Sequence, residues 1–468
     1  MTPELNETNS TRIHPAIDFT SDRAYVGQTI SSGREQRLYL VRDDGRIFQF
    51  DGNSLECENL GLTHRPISIE PRWSHESITR FSRGETEITA NEQLFQAFKR
   101  KFEFYLELPD ERLYDLLTLW VIGTHFHPLF NTYPYIYVGG ISLSGKTKVL
   151  TLCSCLGFNS VLCADLSTAV LYRLIQDGRC SLFIDEAEDL HNRYLSADFR
   201  RILLSGYKKG LRVYRSRRTE DGNFTSESFE VYGPKMLANI EGLESVLGSR
   251  CITIAMERTI NNEISSREIS IEDTVWQQTR DLVYPFLMRN WGAVKQAYLE
   301  IQNTTTLLNR DWELWKPILA LARFFGSSTL YEEMRDLASE KATERQSISA
   351  DPYEIALAET LLSLVDHDCY YSLADIRNGM FRRLEDDEFL SSRQVGGLLR
   401  RCGFTQSRRM NSGYHCFLHV SRVRTLAQRL GVSEGSEHSE HTAGQGIQTV
   451  IDHVETVEIE KCREEKSE

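Results

Sequence analysis

The first chemical signal in the chain is the octet Gly140-Ile141-Ser142-Leu143-Ser144-Gly145-Lys146-Thr147, which satisfies the spacing G-x-x-x-x-G-K-[ST]. A loop of this type wraps backbone N–H groups around phosphate oxygens, while its lysine and hydroxyl reach the β- and γ-phosphates and a magnesium ion. Farther on, Cys180-Ser-Leu-Phe-Ile-Asp185-Glu186 is an apolar run ending in two carboxylates. At such a strand end the first acid secures Mg²⁺ together with the loop hydroxyl, here Asp185 with Thr147, and the second, Glu186, polarises an attacking water. In the alternative, Glu186 joins Glu188 and Asp189 in a solvated acidic cap on the next helix. Lys235-Met-Leu-Ala-Asn239 is a third apolar run; its asparagine can hydrogen-bond a water or the γ-phosphate. Arg250 sits where a neighbouring subunit's nucleotide would receive a fixed positive charge, the alternative being an ion pair within its own subunit. Arg310 could sense nucleotide from the following helical region, or be an ordinary surface arginine.

Two further groups carry positive charge without belonging to that constellation. Tyr207-Lys208-Lys209-Gly210-Leu-Arg212-Val-Tyr214-Arg215-Ser-Arg217-Arg218 reads as a hairpin turning at Gly210. Its cations fit a phosphodiester backbone, and Tyr207 and Tyr214 are placed to stack on bases; the alternative is a solvated charge run. Arg393 and Arg400 lie in a stretch from Ser391 to Arg401 that reads as a recognition helix, followed by alternation around Asn411-Ser-Gly413 that reads as a wing. The alternative use of such a winged helix is protein contact.

These residues need elements to hold them. Tyr135 to Val138 is β-prone and precedes a helix-compatible run to Leu156, so phosphate would lie at a helix N-terminus. The resulting fold class is α/β: a phosphate-loop NTPase core, which the resemblance given below makes AAA+-like, a parallel sheet flanked by helices, with a helical lid and a C-terminal winged-helix domain. Its divisions are 1–90, a flexible segment with a small β region; 91–134, helical; 135–258, the ATPase core; 259–340, the lid over the nucleotide; 353–430, the winged helix; and 431–468, an acidic tail of disorder-prone composition. Roughly the first thirty residues are expected to be loosely ordered, residues 37–50 to form a hairpin around Asp43-Asp44-Gly45, and residues 341–352 to be a linker.

Composition bounds the partners. The net charge of −13 excludes a protein that coats nucleic acid everywhere, and confines such contacts to local basic patches. Ten cysteines without a C-x-x-C read as reduced thiols of a cytoplasmic protein, and His125 with His127 has no third ligand nearby for a metal. No run approaches a membrane span, and the first residues do not read as a signal peptide.

From about Asn91 to Leu430 the chain resembles the phosphate-loop ATPase module of phage, plasmid and archaeal primase-helicase-like proteins, relatives of AAA+ and superfamily 3 helicases. The resemblance rests on Trp120 followed by Pro134-Tyr-Ile, Leu204-Ser-Gly-Tyr, Tyr232-Gly-Pro-Lys, Ser249-Arg250 ahead of Ile252-Thr-Ile, and Asn309-Arg-Asp-Trp-Glu-Leu-Trp. It strengthens ATP hydrolysis with Mg²⁺ more than unwinding, and residues 1–90 hold no paired-acid primase motif. The expected function is an ATP-dependent DNA translocase or helicase, a homo-oligomer in the form of a hexameric ring, serving replication or maintenance of a mobile element. The alternatives are a regulatory or defence-system ATPase that uses ATP for assembly, and a DNA-binding winged-helix protein with a degenerate ATPase.

Overall fold

The computed structural model describes residues 11–32, 35–50, 60–67, 69, 73–164, 168–185, 197–219, 221–240, 242–303, 307–326, 328–349, 352–384, 390–430 and 432. It divides into two compact units, residues 1–345 and 346–468. The acidic tail from 433 onward and the first ten residues lie outside the described part.

The first unit opens with strands β1 (Thr11–Ile13), β2 (Ile17–Phe19), β3 (Ala24–Ser32), β4 (Glu35–Arg42), β5 (Ile47–Phe50) and β6 (Leu60–Leu62). Strands β2 to β5 form an antiparallel meander, and β1 pairs with β6 in parallel. The expectation of a loose start is therefore corrected for residues 11–32. Alternation explains the strands: Leu38 and Leu40 point into a small core with Ile13, Tyr25 and Phe48. The meander is tied to its neighbours by His14 Nε2, 2.7 Å from the Gln176 carbonyl, and by Trp291 Nε1, which donates to Asp43 at 3.2 Å. Helices α1 (His75–Ser82), α2 (Asn91–Tyr105) and α3 (Arg112–Thr124) follow, the last almost wholly buried.

The centre of the unit runs β7 (Tyr135–Gly140), α4 (Lys146–Leu156), β8 (Ser160–Cys163), α5 (Thr168–Gly178), β9 (Ser181–Ile184), α6 (Ala197–Ser205), β10 (Arg212–Arg218), β11 (Phe224–Glu230), β12 (Lys235–Ala238), α7 (Ser245–Gly248) and β13 (Cys251–Met256). Five of these strands make one parallel sheet in the order β13-β7-β12-β9-β8, the arrangement of a phosphate-loop NTPase core. Both faces are covered, so β7, β9 and β12 are almost wholly buried with no alternation, and apolar except for Ser181 and Lys235 at the starts of β9 and β12. Strand β12 lies between the strand that feeds the phosphate loop and the strand that ends in Asp185. Two residues that carry the family resemblance have physical jobs here: Trp120 Nε1 donates to the Pro134 carbonyl at 2.8 Å, and Tyr232 Oη donates to the His127 and Phe130 carbonyls.

Lys235, at the start of β12, is fully buried, and its ammonium donates to the carbonyls of Val231 (3.0 Å) and Gly233 (3.1 Å). Burial pushes its pKa down to about 7. Above that pH the folded chain has given up a proton that the unfolded chain keeps, so stability rises as pH increases toward the ordinary lysine value. Between pH 7 and 9 the gain is about 2 kcal/mol. Urea midpoints of the first unit should therefore climb over that interval in the parent protein and climb less in Lys235→Met. Equal slopes would contradict a neutralisable buried amine.

After β13 come α8 (Asn262–Ser266), α9 (Thr274–Glu300), α10 (Arg310–Phe325) and α11 (Ser328–Ser349). Helices α9 and α10 pack on each other and on α2 and α3, so they build a helical body with those helices. Helices α9 to α11 are not among the described residues that border the phosphate-loop cavity; of the stretch 259–340 expected as a lid, Ser265, Arg267, Glu268 and Ile269 border it. The division between the two units falls at 345/346, within the expected linker 341–352, and α11 runs helical through that point to Ser349.

The second unit contains α12 (Pro352–Leu364), β14 (Cys369–Ser372), α13 (Leu373–Phe381), α14 (Ser392–Arg401), β15 (Ser407–Met410), β16 (Gly413–Leu418) and α15 (Val420–Arg429). Its antiparallel sheet has the order β14-β16-β15; the short β14 carried no sequence signal strong enough to separate it from the flanking helices. Helix α14 starts at a capping box, with Ser391 N donating to Gln394 at 2.8 Å and Gln394 N donating to Ser391 Oγ at 3.3 Å. It buries Val395, Leu398 and Leu399 against Ile376, Phe404 and Leu418.

Candidate nucleotide site and basic hairpin

Strand β7 ends at Gly140 with φ +149, and Gly145 takes φ +87 before α4 begins. Glycine is required at the first position by contact as well as by torsion. A Cβ on Gly140 would lie 2.4 Å from the Met256 carbonyl oxygen of β13 and 2.8 Å from Ser144 Oγ. Between them Leu143 also adopts a left-handed conformation, φ +63, with its side chain exposed. The loop thereby turns its backbone around the N-terminus of α4, where unpaired N–H groups and the helix dipole favour an anion. Ser144 is buried and its Oγ has no protein partner, a polar orphan inside the cradle. Lys146 Nζ donates to the carbonyls of Gly140 (2.8 Å) and Ile141 (2.9 Å), which keeps the ammonium over the loop.

A cavity of about 750 Å³ opens at this loop and gathers residues from three strand ends. Ser142 to Thr147, Asp185 after β9 and Asn239 after β12 all border it. Parallel strands bring their C-terminal ends to one edge, so residues far apart in sequence meet in one crevice. Asn239 is 1% exposed and rigidly oriented: its Oδ1 accepts from Tyr137 Oη at 2.6 Å and from Gly242 N at 3.0 Å, while Nδ2 donates to the Gly242 carbonyl at 2.8 Å. Asp185 and Thr147 are hard oxygen donors of the kind Mg²⁺ takes. Glu186, Glu188 and Asp189 lie outside the described residues.

One wall of the cavity comes from the stretch 259–340 expected as a lid, though none of its residues was singled out from sequence. Ser265, Arg267, Glu268 and Ile269, in and after α8, face Lys148 and Thr151 of α4 across it. Lys148 Nζ donates to the Ile264 carbonyl at 2.7 Å, which fastens this wall to the helix after the loop. The Arg267 guanidinium lies over the Phe104 ring at 4.0 Å and donates to the Phe104 carbonyl at 2.6 Å. The available signal was Asn261, which caps α8 by accepting from Glu263 N and Ile264 N, and the charged pair after it.

Arg250 and Arg310 stand elsewhere. Residue 250 precedes β13, at the edge of the sheet opposite the phosphate loop; Tyr135 N, at the start of β7, donates to its carbonyl. The six residues of β7 separate the two edges by about 20 Å. Arg250 Nε donates to the Leu204 carbonyl at 2.8 Å, its Nη1 to the Val246 carbonyl and, at 3.3 Å, to Ser249 Oγ. Arg310 donates to the same Ser249 Oγ at 2.6 Å, and both guanidinium groups lie over the Tyr207 ring. Arg310, expected either to sense nucleotide or to be an ordinary surface arginine, therefore stands with Arg250, away from the phosphate loop of its own subunit.

The basic hairpin is β10 paired with β11 and closed by Thr219 N donating to the Asn223 carbonyl at 2.8 Å, so Gly210 is not its turn. Lys208 and Lys209 lie before it. Lys208 pairs with Glu313 at 2.6 Å, and Lys209 donates to the Pro128 carbonyl beneath the surface, where burial pushes its pKa down to about 8. Tyr207 is buried. Tyr207 and Lys209 are thus engaged inside the protein, whereas Lys208, its side chain 41% exposed, is held by a surface ion pair with Glu313. Alternation sorts the rest. Val213 and Phe229 pack inward, with Arg215 over the Tyr172 ring at 5.0 Å, whereas Arg212, Tyr214, Arg218 and Phe224 share the outer face. Tyr214 is 63% and Phe224 74% exposed, and Arg212 is braced by Ser228. Phe224 was missed in sequence because it stands across the strand pair from Arg218, outside the basic run.

Among the described residues no cluster of three or more His, Cys, Asp or Glu could hold a metal, and no helix is long and apolar enough to cross a membrane. The described cysteines are free, and His125 and His127 are both buried.

No family model and no curated protein matches the chain. Solved structures with a similar arrangement include "SCCmec type IV Cch - active helicase", at 13% identity over 87% of this chain and 95% of that one, TM-score 0.41. They also include a full-length MCM homologue from Methanopyrus kandleri, at 13% identity over 69% and 74%, TM-score 0.34, and Cdc6p from Pyrobaculum aerophilum, at 12% identity over 74% and 98%, TM-score 0.21.

Proposed function

We propose that the chain is an ATP-hydrolysing DNA translocase or helicase that works as a homo-oligomeric ring, in replication or maintenance of a mobile element. The observation that carries the reading is the convergence of Lys146, Thr147, Asp185 and Asn239 on one cavity at the edge of a parallel sheet. Lys146 and the α4 N-terminus hold the phosphates, and Asn239 orients the attacking water through an amide fixed by Tyr137. Glu186 takes the proton from that water. Thr147 and Asp185 would hold Mg²⁺, which supplies charge neutralisation at the phosphates when bound. The outer face of β10–β11 binds a strand, with Arg212 and Arg218 on phosphates and Tyr214 and Phe224 stacking on bases. The second unit acts as a winged helix, α14 presenting Arg393 and Arg400 to duplex DNA. The test is ATP turnover with and without single-stranded and duplex DNA, measured beside the mass of the ATP-bound particle. A DNA-insensitive monomer would sink the translocase reading.

Arg250 is assigned to the nucleotide of the neighbouring subunit, because about 20 Å of strand separates it from its own loop. Acting there, it exchanges neutral carbonyl acceptors for phosphate oxygens, and such charge-assisted bonds are roughly twice as strong. Mixing equal amounts of Arg250→Ala and Lys146→Ala subunits should restore up to about a quarter of parental turnover, the share of interfaces that pair an intact loop with an intact arginine. If mixed oligomers form and no turnover returns, Arg250 acts only within its own subunit.

A further inference from the structure

In the second unit a groove of about 450 Å³ runs between α14 and the β15–β16 hairpin. Its volume falls in the range of sites that accept a small ligand or a few side chains. The floor is apolar, from Leu373, Leu399, Phe404 and Cys416, and Gly396 brings the α14 backbone close over it, since a Cβ there would lie 3.2 Å from Leu373 Cδ2. Arg393 and Arg400, two turns apart on the same face of α14, stand on its rim with Tyr414. Both arginines are exposed, and no carboxylate is among the groove's described lining residues.

The charge of this region is unusual for an acidic chain. Residues 389–432, which include α14, the hairpin and α15, hold eight arginines and no Asp or Glu. The residues that follow, 433–468, hold ten Asp or Glu against three Lys or Arg, a net −7 of the chain's −13. Within them Val450-Ile-Asp-His-Val-Glu-Thr-Val-Glu-Ile-Glu460 interleaves apolar and acidic side chains. That is the complement of an apolar floor with a cationic rim.

We propose that residues 450–460 dock in the groove of their own second unit, apolar side chains on the floor and carboxylates on Arg393 and Arg400, and so compete with polyanions for α14. The reach is ample. The described chain ends at Val432, whose N–H caps α15 by donating to the Ala427 carbonyl at 2.9 Å, and seventeen residues, 433–449, connect it to the segment. A short tether of this kind makes the docking intramolecular, with an effective concentration on the order of millimolar. The competition with duplex DNA rests on the winged-helix reading under Proposed function; the docking itself does not.

Hydrogen–deuterium exchange of the full chain tests it, comparing the parent with the triple variant Val454→Ser, Val457→Ser, Ile459→Ser. Amides of α14 and β16 should exchange faster in the variant, and their protection in the parent should not change with protein concentration. Identical exchange in the two proteins overturns the proposal. Protection that grows with concentration also overturns it, because the occupant is then a second copy. A duplex titration at low salt separates this outcome from failure of the DNA reading. A segment docked in roughly nine of ten molecules lowers apparent duplex affinity about tenfold, so the variant should bind about tenfold more tightly. If exchange responds and duplex affinity does not, docking stands and α14 is not a DNA contact. If exchange is unchanged while Arg393→Ala with Arg400→Ala weakens duplex binding, docking falls and the DNA reading stands.

Discussion

Replacing Lys146 with alanine is expected to lower ATP turnover by about a thousandfold or more, roughly 4 kcal/mol of transition-state stabilisation. The lysine is held over the loop by the Gly140 and Ile141 carbonyls, so its charge is in place before phosphate arrives and little reorganisation is needed at the moment of reaction. The companion change Glu186→Gln should behave differently. It should keep ATP binding close to the parental level while stopping hydrolysis, because a base is needed only when water attacks. Equilibrium binding of a labelled nucleotide, measured beside steady-state turnover, separates the two phenotypes. Parental hydrolysis by Glu186→Gln would remove that residue as the base and make Glu188 the next to test.

The second large effect is expected on the hairpin. Arg212→Ala with Arg218→Ala should flatten the dependence of log affinity on log salt by about 1.4 for single-stranded DNA, roughly 0.7 for each phosphate that is no longer neutralised. Tyr214→Ala and Phe224→Ala should each cost about 1–3 kcal/mol of binding with little dependence on sequence. DNA-stimulated turnover should fall with affinity. Lys208→Ala, by contrast, should leave the salt slope alone, since its ammonium is paired with Glu313. Parental affinity and slope in the arginine double variant would favour the regulatory ATPase over the translocase.

What could be read without coordinates, and what could not, divides along the range of the interactions involved. The phosphate loop is a local object: a buried strand, glycines where φ is positive, and a helix whose N-terminus opens at the loop are all contiguous from Tyr135 to Leu156. Asp185 and Asn239 were legible for a related reason, as polar residues ending apolar strands of a parallel sheet, whose C-terminal ends share one edge. Which residues of the stretch 259–340 would meet the cavity was not legible, because the place of Ser265 to Ile269 depends on Lys148 reaching the Ile264 carbonyl across 116 residues. Lys208 and Lys209 show the same limit from the other side. Their charge marked them as surface cations, and only tertiary structure revealed the Glu313 carboxylate and the Pro128 carbonyl that take those charges up.

Sequence by itself determined the chemistry of the loop, because backbone torsion and residue type act within a few positions. The tertiary structure alone decided which charges remain available to a partner and which edge of the sheet each arginine occupies. Arg250 and Arg310 are sixty positions apart in the chain, yet both lie over Tyr207, at the opposite edge from the nucleotide cavity. Side-chain availability is a property of what has folded against it, and no local pattern encodes that.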